Sequence, residues 1–479
     1  MQLKRTSLRT EIIEPNDNIS FPIGTFVTVE KYYNKLSFDK IIGKHKRKGA
    51  NINALVKAMV SYRLTENQSV TKAADFINRD PILEFFSLDF FEQNTLYRTL
   101  RIIGNNREEV IADIQDEIFD IFDFEHTDLN MDWTSFVLWG TKCSLGKYGY
   151  SRDKRPDKKQ INVGISELRE PINIPIGLTI LPGNINDQVH FDHTFGQVEG
   201  HLRDGSLMVF DQGANRKKNL NRIENSKLKY LTIRPLNKSD DKTWIKNFKD
   251  MDAELVDEEK GVYGLIKVFP SRTNYMYFSE QLYEQQMEAK FRKAKRMLQE
   301  AKDLQESIEN NRGLPKRFKI NNPLIDCTYS YQTKLTFMSE EEAQAILKRV
   351  TITGREGFFC LVSNKDLTLI EALKIYRQKD SIEKIFHSLK NEIEIKPLRV
   401  WSDASIYGAI IIGFIAQLII SLIRFEHAEL KHTSPKFIKI SLSNLTVTVE
   451  YKKSNRKRYI FSNFNPISQV IWGQNTTIT

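Results

Sequence analysis

Three acidic residues, widely separated in this 479-residue chain, stand where a carboxylate needs a reason. Asp132 lies inside the strand-like run "LNMDWTSFVLW", and Asp211 ends the apolar burst "GSLMVFDQG". Glu383 lies in "IYRQKDSIEKIFHSLKNE", where Ile382, Ile385, Phe386 and Leu389 recur at helical spacing and mark a buried face. At 100° per residue, Tyr376, Lys379, Glu383 and Lys390 share an arc of about 60° beside that face. Read singly, each acid has an ordinary account. Glu383 and Lys379 are an i,i+4 helix pair, Asp211 is a cap or turn carboxylate, and Asp132 is a solvent-facing strand residue. Read together, two strand carboxylates and a third on a core-edge helix can hold two hard divalent cations through oxygen ligands. Magnesium suits such a set, and a metal pair of this kind activates a nucleophile and stabilises a leaving oxygen in phosphoryl transfer. Tyr376 and Lys390, flanking Glu383, would then meet the phosphates of the strand being cut.

The elements that must position these residues follow from the pattern along the chain. "LNMDWTSFVLW", "QINVGISEL" and "NIPIGLTILPG" read as three successive strands separated by turns. A helix around "HFDHTFGQVEGHL", the strand ending at Asp211, a basic helix "NRKKNLNRIENS" and the strand "KYLTIRPL" come next. A helical crossover sets the fourth strand parallel to the first, which is the order of a ribonuclease-H-like α/β sheet. The fold class expected is therefore α/β, a ribonuclease-H-like mixed sheet with helices, interrupted by an inserted α+β subdomain and preceded by a mainly helical region. The boundaries expected are residues 1–125 for that N-terminal region, 126–235 with 356–425 for the core, 236–355 for the insertion and 426–479 for a basic tail. Within the first region "IGTFVTVEKYY" reads as β-like. The insertion holds a hairpin, "GVYGLIKVFPSRTNYMYFS", and a charged helix from Glu280 that "NNRGLPKRFKINNP" breaks. The strand "GFFCLVSN" resumes the core.

The bulk composition narrows the partners. A net charge of +10 and 40% apolar residues describe a folded chain that seeks an anion, with nucleic acid the leading candidate. Residues 215–250 carry eleven Lys/Arg against four Asp/Glu, a run that suits DNA contact beside Asp211. Helices behind the basic "KHKRK" suit either DNA binding or dimerisation. Cys143, Cys327 and Cys360 form no CxxC pair, which fits a reducing cytoplasm, and the N-terminal "MQLKRTSLRTEIIEPND" has no signal-peptide run. "YGAIIIGFIAQLIISLI", residues 407–423, matches a short membrane span in composition but reads better as a helix buried on all sides. His190 and His193 lack further zinc ligands at the right spacing, His387 and Asp187 read as structural, and no glycine loop implies a nucleotide cofactor.

The stretch from Tyr376 to Lys390 resembles the signature of DDE transposases of the insertion-sequence-4 superfamily, Y-x2-R-x3-E-x6-K, with Lys379 in place of the arginine. "DWTS" and "FDQGANRKKNL" resemble the first two acidic motifs, and "GYSRDKRPDKKQINVGI", "LPGNINDQ" and "KPLRVW" resemble further family segments. The resemblance spans roughly residues 128–423. It implies Asp132, Asp211 and Glu383 as catalytic metal ligands for two magnesium ions, with manganese as a substitute. It implies Tyr376, Lys379 and Lys390 as DNA-backbone contacts, with lysine acting as a point charge where arginine would grip in two places. The activity implied is cleavage at the inverted repeats of an insertion sequence and transfer of the freed 3′-OH to target DNA. The partners implied are double-stranded element ends and target DNA, and a homodimer in the DNA complex, without membrane or nucleotide. The location implied is cytoplasmic and nucleoid-associated. Trp244 reads as a core residue, with stacking on a flipped base as the alternative. A nuclease without strand transfer and a non-catalytic DNA-binding relative are the competing functions.

Overall fold

The computed structural model describes residues 18–46, 48–65, 69–124, 126–140, 143–169, 173–310, 324, 340–393, 395, 398, 400–451 and 457–472. The chain forms two compact units, Met1–Lys229 with Gln378–Thr479, and Tyr230–Arg377. The break expected at "NNRGLPKRFKINNP" falls outside the described residues, apart from its last helical neighbours.

The first unit opens with a strand, Asn18–Pro22, and then a run of helices that ends in α1 (Gln93–Asn105) and α2 (Arg107–Ile121). The β-like reading of "IGTFVTVEKYY" is corrected here: Gly24–Lys35 is a helix. Its β-branched residues favour a strand locally, but Phe26, Val29, Tyr32 and Tyr33 fall on one helical face and are all fully buried. Tertiary burial overrides a propensity worth a few tenths of a kcal/mol per residue.

The sheet of this unit holds β1 (Leu129–Val137), β2 (Gln160–Leu168), β3 (Ile174–Pro182) and β4 (Leu207–Phe210), in the order β3-β2-β1-β4. The first three strands are antiparallel neighbours, and β4 runs parallel to β1 after the crossover helix α3 (Asp187–Val198). This is the ribonuclease-H-like strand order expected from the sequence. One face of β1 carries Leu129, Met131 and Trp133, all buried, and the Trp133 indole donates to Thr194 on α3 at 3.0 Å. The other face carries Asn130, Asp132, Thr134 and Phe136 toward the segment that contains α5 (Asp380–His387). Between these, α4 (Lys217–Asn225) follows β4.

The apolar stretch at 407–423 lies within α6 (Asp403–Glu426), and its residues from Gly408 to Ile423 are buried inside the unit. The fold therefore accounts for its hydropathy. This helix packs on α1 through two backbone approaches: a Cβ on Gly104 would lie 1.8 Å from Ala404 O, and one on Gly408 would lie 2.1 Å from Leu100 O. Only glycine allows that crossing. A three-stranded antiparallel sheet of Asn18–Pro22, Thr446–Tyr451 and Lys457–Ser462 joins the two ends of the chain within the unit.

The second unit is an antiparallel sheet of Lys229–Arg234, Phe358–Ser363, Arg272–Ser279, Val262–Phe269 and Glu254–Asp257, in that order. The expected hairpin is present, and the expected charged helix runs from Glu280 to Glu309. Trp244 is 1% exposed and meets Phe358 edge-on at 5.0 Å, so it is a core residue of this unit.

Gly408→Val should lower the melting temperature sharply, by the equivalent of about 1–3 kcal/mol or more, because the added atoms collide with α1 backbone. Gly43→Ala, where a Cβ would meet nothing within 4 Å, should leave it unchanged or raise it slightly. Paired thermal unfolding scans check the contrast.

Candidate active site

Register brings the two strand carboxylates together. Parallel pairing matches Leu129 with Met208, Asn130 with Val209 and Met131 with Phe210, so the next step along both strands places Asp132 opposite Asp211. Adjacent strands lie about 4.8 Å apart. The four residues of β4 are fully buried, and the chain emerges at Asp211, whose side chain is 45% exposed. Asp211 precedes a short turn of helix, Gln212–Ala214, but its side chain makes no capping bond there.

Glu383 arrives from α5. The apolar stripe expected from the sequence holds this helix down: Ile382, Ile385, Phe386 and Leu389 are all buried. The helical run expected over 375–392 is not uniform. It is interrupted at Lys379, restarts at Asp380, and widens into a π-type turn over Ser388–Glu392. Wide turns of this kind recur at functional sites.

Lys379 is the centre of the arrangement. Its ammonium lies 3.2 Å from Asp211 Oδ1, 3.6 Å from Glu383 Oε1 and 3.8 Å from Asp132 Oδ2. Its side chain is 4% exposed, enclosed among these carboxylates. Burial pulls the Lys379 pKa down, but Asp132, Asp211 and Glu383 outweigh it and the net shift is upward. Asp132 feels the opposite pressure: burial is the largest influence and lifts its pKa to about 6, against the pull of Lys379. The Trp133 amide donates to Asp132 Oδ1 at 2.8 Å and fixes the carboxylate.

Lys390 is anchored nearby, donating to Thr134 Oγ1 at 2.7 Å and to Asp153 Oδ1 at 3.3 Å, with its ammonium 5.1 Å above the Phe136 ring. Tyr376 belongs to the second unit, on the helix Leu369–Gln378, and is half-buried. Asp187, at the start of α3, pairs with Arg152 at 2.7 Å, and a Cβ on Gly213 would sit 2.6 Å from its Oδ2. His190 is buried, bonds Thr179 at 2.9 Å and has its pKa pushed down to about 3 by that burial, which makes it a structural residue. His387 is exposed. In the basic run, Lys218 and Arg222 on α4 pair with Asp192 at 2.8 and 3.2 Å, so part of that charge is spent within the unit.

Sequence reading passed over Glu167. It is fully buried on β2, opposite Asn130, and its Oε2 accepts from Asn130 Nδ2 at 3.1 Å and Ser381 Oγ at 2.7 Å. Ser381 lies two residues before Glu383, so this carboxyl ties the start of α5 to the sheet. Burial raises its pKa to about 7. The available signal was a lone acid inside the otherwise uncharged strand "QINVGISEL".

Two outcomes follow from these shifts. A divalent ion bound at Asp132 would need this carboxylate ionised, and below about pH 6 a proton would compete for it. Magnesium should therefore raise the melting temperature clearly at pH 7.5 and little at pH 5, as thermal scans with and without the ion will register. A raised folded-state pKa means that Glu167 supports folding in its protonated form and that this support is lost as pH rises through about 7. Glu167→Gln should match the wild-type melting temperature near pH 5 and exceed it at pH 9. Glu167→Ala, which strands Asn130 and Ser381, should lose about 1–3 kcal/mol at pH 5.

No curated protein matches the chain. Among solved structures, a piggyBac transposase synaptic complex with hairpin DNA is similar at 13% identity and a TM-score of 0.39, covering 89% of this chain and 80% of that one. The family profile described as Transposase DDE domain matches residues 123–419, which include Asp132, Asp211 and Glu383. The chain belongs to the family of transposases that carry a DDE domain.

Proposed function

We propose that this protein is a transposase of the insertion-sequence-4 superfamily that binds the terminal inverted repeats of its own element, cuts the DNA there and joins the freed end to a target. The observation that carries the reading is the convergence of Asp132, Asp211 and Glu383 within 3.8 Å of one ammonium, in a chain of this family. The signature residues Tyr376, Glu383 and Lys390, at their spacing, support the superfamily.

The donor set suits magnesium, with manganese as substitute, because all three side chains offer hard carboxylate oxygens. Asp132 also favours a cation on physical grounds: burial lifts its pKa to about 6, and a positive neighbour relieves that cost. Two ions held by these residues would activate water or a 3′-OH and stabilise the leaving oxygen. The protein's own groups do the rest. Asp132, fixed by the Trp133 amide, and Asp211, set by register, would hold the cations from two sides, and Glu383 would hold them from α5. The Lys379 ammonium faces the same point and serves as a point charge on the phosphate being cut. Lys390, anchored by Thr134 and Asp153, contacts the adjoining backbone, and Tyr376 is assigned to that backbone as well.

Two element ends must be joined, so the active assembly is a homodimer on double-stranded DNA. We assign end binding or dimerisation to residues 1–125, catalysis to 126–235 with 356–425, and an accessory role to the insertion 236–355 and the basic segment 426–479. Action on chromosomal DNA places the protein in the cytoplasm, with the nucleoid.

Glu383→Gln should retain binding to element-end duplexes and lose magnesium-dependent cleavage by more than about 100-fold, since even supporting residues around a metal cost 10–100-fold. Cleavage at the wild-type rate contradicts the assignment. Joined products in a strand-transfer assay separate a transposase from a nuclease that only hydrolyses.

A further inference from the structure

Where β1 ends, the surface changes character. Trp139, Tyr148, Tyr150 and Trp401 are 59%, 62%, 83% and 60% exposed, although side chains of this size normally seek cover. They share one neighbourhood. Leu138 bridges to Leu398, which carries Trp401 beside the end of β1, and a Cβ on Gly140 would lie 3.0 Å from the Trp401 ring. The tyrosines flank Gly149, whose backbone lies so close to Gly183 that a Cβ would come within 2.0 Å of its carbonyl oxygen. Lys147 and Gln160 exchange backbone hydrogen bonds at 3.1 and 2.9 Å, which pins the same loop to β2. Asp403, at the start of α6, accepts from the Ser144 amide at 2.9 Å and from its hydroxyl, fixing the loop's other end. Backbone contacts thus tie down the segments that bear these exposed rings.

The charges around them are positive. Residues 147–159, "KYGYSRDKRPDKK", hold six Lys/Arg and two Asp/Glu. Arg155 and Lys158 lie 5.3 and 5.0 Å from the Trp139 ring centre. Lys154 takes a left-handed backbone, φ 56°, that a side chain rarely adopts, inside a turn closed by Ser151. The loop reaches the carboxylates through Asp153, which holds Lys390, and through the Arg152 amide, which donates to Ser135 Oγ at 3.0 Å.

We propose that Trp139, Trp401, Tyr148 and Tyr150 form a stacking surface for unpaired bases of a single DNA strand, with Arg155, Lys158 and their neighbours tracking its phosphates. Exposed rings interleaved with cations are what single strands require, because each base offers a flat face and each step a negative charge. Trp139 lies seven positions beyond Asp132, about 23 Å along an extended chain, so the surface meets nucleotides several steps from the cut. The location relative to a cut rests on the transposase reading; the binding itself does not.

The test uses the full chain in EDTA, so that no cleavage occurs, with a labelled oligothymidylate of about 20 nucleotides and a duplex of equal length. Trp139→Ala and Trp401→Ala should each weaken oligothymidylate binding roughly 5- to 150-fold, with a much smaller effect on the duplex. Trp139→Phe should restore binding. In the wild type, oligothymidylate should quench tryptophan fluorescence, and Trp139→Phe should remove part of that quenching, which keeps the test valid if an alanine variant misfolds. Unchanged oligothymidylate affinity, or equal losses on duplex, overturns the proposal. So does a change from dimer to monomer in sedimentation without loss of binding, which would make the rings a face for a second copy. A wild-type protein that binds oligothymidylate through these rings but cuts no element-end duplex with magnesium would count against the transposase reading alone.

Discussion

The arrangement depends on one ammonium set among three carboxylates. Parallel register forces Asp132 and Asp211 side by side, and α5 adds Glu383. Opposite charges about 4 Å apart gain ~4 kcal/mol at a protein-surface dielectric, before the cost of removing each from water is counted. Asp211 and Glu383 are exposed enough for solvent to screen most of their share. Asp132 is not, and it shows the strain: Lys379 offsets only part of its burial. A carboxylate left in that condition is stabilised by any further cation brought to it.

Precision at this point comes from one face of one strand. Asn130, Asp132, Thr134 and Phe136 alternate along β1 and meet Ser381, Lys379 and Lys390 of the facing segment. The opposite face of the strand is clamped to α3 through Trp133. Glu167 adds a buried tie beneath the same helix. The groups that would meet a phosphate are thus carried on packed elements whose rotamers are fixed from behind, as catalytic geometry demands.

The strand order and the three acids were legible because each signal was local. Alternation, turn residues and a carboxylate at the end of an apolar run can all be read from a few residues. The crossover rule set the fourth strand parallel to the first, which brings Asp211 to Asp132 where those two strands are neighbours. Three features were not legible for the opposite reason. Gly24–Lys35 looks like a strand until Phe26, Val29, Tyr32 and Tyr33 find a core to bury against. The burial of Lys379 was hidden because sequence spacing gives its angle on a helix but not the carboxylates that arrive from β1 and β4. Glu167 was hidden because its partners, Asn130 and Ser381, lie 37 and 214 residues away.

Metal-directed backbone cleavage tests the central claim most directly. Ferrous ion with ascorbate, bound where magnesium would bind, cuts the polypeptide only near the coordinating atoms. The account requires cuts near residues 132, 211 and 383 together, suppressed by excess magnesium and lost at all three positions in Asp211→Ala. Cuts confined to one of these segments, or a pattern that survives Asp211→Ala, would show that the three carboxylates do not share a metal site.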